Sequence, residues 1–65
     1  MKIQDIKQNT IPPFNPFTIH TTDGFTIHIP HEDFIHFIPG RDSFIAIGLN
    51  GKINVIDADH VVRTD

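Results

Sequence analysis

The side chains most able to do chemistry in this chain are its five histidines, His20, His28, His31, His36 and His60. Two of them close identical tetrapeptides, Phe17-Thr18-Ile19-His20 and Phe25-Thr26-Ile27-His28, on either side of Thr21-Thr22-Asp23-Gly24. A third follows in His31-Glu32-Asp33. Imidazole and carboxylate groups bind zinc when three or four of them converge at about 2.0–2.2 Å in a tetrahedral array. His20, His28, His31 and Glu32 are the residues that could do so, provided the chain folds back after Pro30. The spacing argues against a dedicated centre. No HExxH run is present, and there is no cysteine to supply a thiolate. A polar, solvent-facing strand surface of Thr18, His20, Thr26 and His28 accounts better for the pattern. No metal and no cofactor is therefore expected.

Other catalytic constellations are weaker still. Asp57 and Asp59 precede His60, but Ser43, the single serine, lies in a loop without the strand-turn-helix context of a nucleophile elbow. Glu32-Asp33 and Asp57/Asp59 read as turn formers and solvated charges. His36 alternates with Ile35 and Phe37, so it belongs on a polar side. Gly40, Gly48 and Gly51 are isolated and cradle no phosphate. The chain is expected not to be an enzyme.

The elements that would position these residues follow from periodicity. Phe17, Ile19 and Thr21 alternate with polar residues, as do Phe25, Ile27 and Ile29, and Asp23-Gly24 between them is a hairpin signal. A two-residue loop would oppose Ile19 to His28 and mix apolar with polar on both faces. A three-residue loop, Thr22-Asp23-Gly24, pairs Phe17 with Ile29, Ile19 with Ile27 and Thr21 with Phe25. Because a one-residue slip inverts every side chain, the second register is predicted, with Gly24 left-handed in a bulge. His20 and His28 then share the outer face on a diagonal.

Around this hairpin, Ile3 and Ile6 suggest a short N-terminal helix, and Pro12, Pro13 and Pro16 an extended lead-in. Residues 30–34 read as a bend or single helical turn that drops Phe34 towards the core. Ile35–Ile38, Phe44–Leu49, Lys52–Asp57 and Val61–Thr64 read as strands, with "PGRDS", Asn50-Gly51 and a 3₁₀-like "ADH" between them. The predicted class is mainly β: a lead-in over residues 1–16 and a small five-stranded SH3-like or Sm-like barrel over 17–65. The segments "PFNPFTIHTTDG", "PHEDF", "PGRD" and "VIDADHVVR" resemble a group of small uncharacterised bacterial proteins. Here His31-Glu32-Asp33-Phe34 lacks the proline of that group's His-Pro-Glu-Phe. The resemblance implies a fold and no activity.

A chain of 65 residues without cysteine has a small core and no disulfides, so association with other chains is a natural way to stabilise it. In the apolar run Phe44–Leu49, an inward Ile45 and Ile47 facing Ile53 and Val55 would leave Phe44, Ala46 and Ile56 outward. Those three form the expected oligomer interface, and a homo-oligomeric interaction module, open to other protein partners, is the expected function. The alternative is an Sm-like binder of RNA or single strands using Arg41, Lys52 and Arg63. A net charge of −3, scattered basic residues and the lack of Tyr and Trp disfavour it. No apolar run reaches the roughly 20 residues of a membrane span. Residues 1–8 lack the apolar centre of a signal peptide, so a cytoplasmic location is expected.

Overall fold

A computed structural model describes residues 1–65. Helix α1 (Ile3–Lys7) runs into a 3₁₀ turn at Gln8–Thr10. The strands are β1 (Phe17–Thr21), β2 (Thr26–Ile29), β3 (Ile35–Phe37), β4 (Ser43–Ile47), β5 (Ile53–Asp57) and β6 (Val61–Thr64). Further 3₁₀ turns at Glu32–Phe34 and Ala58–His60 precede β3 and β6. No helix is long and apolar enough to cross a membrane.

The protein is mainly β, but the expected closed five-stranded barrel is not what forms. There are six strands in two antiparallel sheets, ordered β2-β1-β6 and β3-β4-β5. The 3₁₀ turn after β5 carries the chain from one sheet to the other, so the expected last strand, Val61–Thr64, pairs with β1. The outer edges of β2 and β5 remain unpaired with each other.

The hairpin takes the register that its alternation demands. Phe17 pairs with Ile29, and Ile19 with Ile27. The Thr21 N–H donates to Phe25 O at 2.9 Å and the Gly24 N–H to Thr21 O at 3.1 Å, closing a three-residue loop. Gly24 has φ +84°, the left-handed region that such a loop requires of its last residue. A Cβ at Gly24 would meet nothing within 4 Å. Gly24→Ala therefore costs only the backbone term, about 1–2 kcal/mol. Thermal melts followed by circular dichroism should show a midpoint lower by about 5–10 °C. An unchanged midpoint would mean the loop relaxes to another conformation.

Both sheets turn one face to a common core. Phe17, Ile19, Ile27, Ile29 and Val61 line it from one sheet, and Ile35, Phe44, Ala46 and Ile56 from the other. Ile6 of α1 joins them with no exposed surface, and Phe14, Phe34 and Phe37 pack against the margin. The hairpin face ends short of Phe25. That residue pairs across from Thr21 at the loop, stands in the cleft between the loop and β5, and is 46% exposed.

Candidate functional site

The outward face of the first sheet is polar, in rows set by the register. Thr18 stands opposite His28, and His20 stands between Thr26 on β2 and Arg63 on β6. Thr18 Oγ1 and His28 Nδ1 are 3.1 Å apart. His20 Nε2 lies 2.6 Å from Asp65 Oδ2, and Arg63 Nε donates to Asp65 Oδ1 at 3.3 Å. The His20 hydrogen bond and the Arg63 charge hold the Asp65 carboxyl below the ordinary aspartate value of 3.8. Its contribution to the fold is present above that value and fades as pH falls through the depressed pKa.

These contacts spend the histidines on neighbours. His20 and His28 sit on a diagonal, each with its own partner. His31 is exposed with its ring 6.0 Å from that of Phe34, and His36 Nε2 lies 2.8 Å from Asp33 O. Glu32 begins the 3₁₀ turn, exposed. No three His, Asp or Glu side chains are grouped to hold a metal ion. Ser43 donates to Asp57 Oδ1 rather than to a histidine. Asp23 is likewise occupied: it accepts from Thr21 Oγ1 and from the Phe25 N–H, which lower its pKa.

Arg41, Lys52 and Arg63 do not form a basic patch. Arg41 lies in the β3–β4 turn and Lys52 in the β4–β5 turn, at opposite ends of β4, while Arg63 belongs to the other sheet and is bonded to Asp65.

The second sheet differs. Ile45 is directly opposite Val55 and Ile47 directly opposite Ile53, so four branched apolar side chains share its outward face. Ile53 is 65% exposed and Val55 67% exposed. His36 borders this quartet on β3, opposite Ile45, and the Ser43–Asp57 pair closes one end. The pairing expected for these strands is present, but the facing is inverted. Phe44 and Ala46 are fully buried and Ile56 is nearly so, so their side chains cannot meet another subunit. The reason lies across the ladder. Phe44 and Ala46 pair with Phe37 and Ile35 on β3, which face the core, whereas Ile45 pairs with the exposed His36.

Beside this face runs an open cleft of about 630 Å³ between β5 and the β1–β2 loop, lined by Thr22, Asp23, Phe25, Ile53, Val55 and His60 among others. Comparison with known proteins adds no assignment: the chain matches no protein-family profile, no curated protein and no solved structure.

Proposed function

We propose that the chain is a non-enzymatic interaction module that self-associates through its second sheet, whose outward side at β4 and β5 is apolar. One contrast carries this reading. An antiparallel sheet with one solvated face normally shows alternation, apolar inward and polar outward. The first sheet obeys over β1 and β2, with Thr18, His20, Thr26 and His28 outside and a lone exposed valine, Val62, on β6. The second presents Ile45, Ile47, Ile53 and Val55 instead. Contiguous exposed apolar surface of this kind marks a contact site. The short strands and the 3₁₀ break before the last support an SH3-like or Sm-like layout, open along β2 and β5.

Size-exclusion chromatography with light scattering tests the reading. The 7.4 kDa chain should gain mass as concentration rises from about 10 to about 500 µM, the range of weak reversible association. Ile53→Lys should hold it at the monomer mass with unchanged circular dichroism. A wild-type chain that stays monomeric throughout would overturn the proposal.

A further inference from the structure

The way in which two copies would meet is set by which strand edge is free. Four edges exist, belonging to β2, β6, β3 and β5. Natural sheets blunt such edges with short strands, proline, charge or coverage. Strand β3 has three residues and is followed by Pro39. Strand β2 turns Thr26 and His28 to its outer face and stops at Pro30. Strand β6 has the N-terminal segment laid on it: the Met1 amino group donates to Val61 O at 3.1 Å and Asn9 Nδ2 to Thr64 Oγ1 at 3.1 Å. Strand β5 is five residues long, regular in register, and free of proline and lysine.

The direction of its free groups follows from the ladder. The Gly48 N–H donates to Lys52 O at 2.8 Å and the Ala58 N–H to Asp42 O at 2.7 Å. These bracket the β4–β5 pairing, so Asn54 and Ile56 bond to β4. By antiparallel alternation Ile53, Val55 and Asp57 aim N–H and C=O away from it. That side borders the cleft whose far wall is formed by Thr22, Phe25 and His60.

We propose that a second copy of this chain pairs there, β5 against β5 antiparallel, with the two-fold axis at Asn54. This rests on the self-association reading and gives it a geometry. The register is chosen by complementarity. With the axis at Asn54, each Ile53 faces the other copy's Val55, and each such pair exchanges two main-chain hydrogen bonds. Asp57 falls opposite Gly51 and Lys52 opposite Ile56, so no like charges meet. The apolar quartets of the two copies become one continuous stripe across a six-stranded sheet. With the axis moved to Val55, Ile53 would face Asp57 instead. The contact covers the strand edges and the flanks of Ile53 and Val55 that face the partner strand. Pairing through one five-residue strand falls below the roughly 1,200 Å² of total buried surface at which stable interfaces begin, in the class of weak, transient contacts.

Val55→Pro is the discriminating variant. The Val55 N–H points away from β4, so proline there spares the internal ladder and is tolerated on an edge strand. It removes one donor from each copy, and dimerisation measured by light scattering should weaken at least about tenfold. Ile45→Lys alters the outward face away from the edge and should leave the dimer in place. A Val55→Pro protein that still dimerises, while Ile45→Lys does not, means the copies stack by their faces; edge pairing is then overturned and self-association stands. A monomeric wild type overturns both. Should Val55→Pro unfold, Asn54→Cys decides. That pair spans about 4.5 Å between Cα atoms at the axis, within disulfide reach. As the only thiol in the chain, it should give a disulfide-linked dimer under oxidised glutathione, and failure to cross-link overturns the proposal.

Discussion

Phe44→Ala should leave the chain unfolded, or at the edge of unfolding, at room temperature. Phe44 has no exposed surface, stands between Phe37 and Ile56 across the ladder, and sets its ring 5.8 Å from that of Phe37. Truncating a buried phenylalanine costs about 3–5 kcal/mol, because the lost transfer energy adds to the cavity left behind. A core of this size rarely supplies more than about 3–5 kcal/mol in all. The two quantities are comparable, so the variant has little stability left. Far-UV circular dichroism should show a reduced sheet signal and a broad, shallow melt. Ile45→Ser, one residue along and partly exposed, should keep a cooperative transition. Were Phe44 a subunit contact, its truncation would instead give a folded monomer. A sharp melt within a few degrees of wild type would restore that view.

The buried facing of Phe44 shows where the sequence is legible. Phe17–Ile29 alternates strictly and ends in Asp-Gly, so hydrophobic pattern and turn chemistry agree on one register, and the left-handed Gly24 follows. Phe44–Leu49 is apolar at both parities, and a period of two then carries no facing information. Opposition of Ile45 to Val55 and Ile47 to Ile53 could be drawn from the Asn50-Gly51 turn, but which face was inside could not. Two polar markers settle it. His36 pairs with Ile45, and Asp57 shares a face with Ile53 and Val55. Assigning His36 to a polar side and pairing β3 with β4 already implies an outward Ile45. The division into two sheets is illegible for a different reason: all six segments, Val61–Thr64 included, read as strands, but the expectation for them is a single closed barrel. The "ADH" turn was visible, but the switch between sheets that it performs depends on β6 reaching β1, a contact between distant parts of the chain.

Register governs the histidines as well. Their abundance suggests ligands, and the register spreads them over separate neighbours: Asp65 for His20, Thr18 for His28, the Asp33 carbonyl for His36. Asp65 could not be paired with His20 from sequence, since 45 residues separate them. A polar first sheet and an apolar second sheet thus give the molecule two different exteriors, and only the second lacks partners of its own.

Ile6→Ala should detach the N-terminal segment while leaving both sheets assembled. Helix α1 has five residues, far below the length at which a helix holds in water by itself. Its order comes from docking: Ile6 is completely buried, Asn9 Nδ2 bonds to Thr64 Oγ1 and to Ile6 O, and Lys7 Nζ stands 5.5 Å from the Phe37 ring centre. Removing the anchor costs about 2–5 kcal/mol. Unlike the cost at Phe44, this one can be limited by local opening, because no strand ladder runs through residues 1–16. Hydrogen exchange should show the residue 3–10 amides losing protection first, with those of β1 and β4 retaining theirs. Ile11→Ala, at a site 54% exposed, should change neither pattern nor midpoint. If Ile6→Ala kept full protection over residues 3–10, the helix would be held by its polar contacts alone. If all strands lost protection together, Ile6 would be as central to the fold as Phe44.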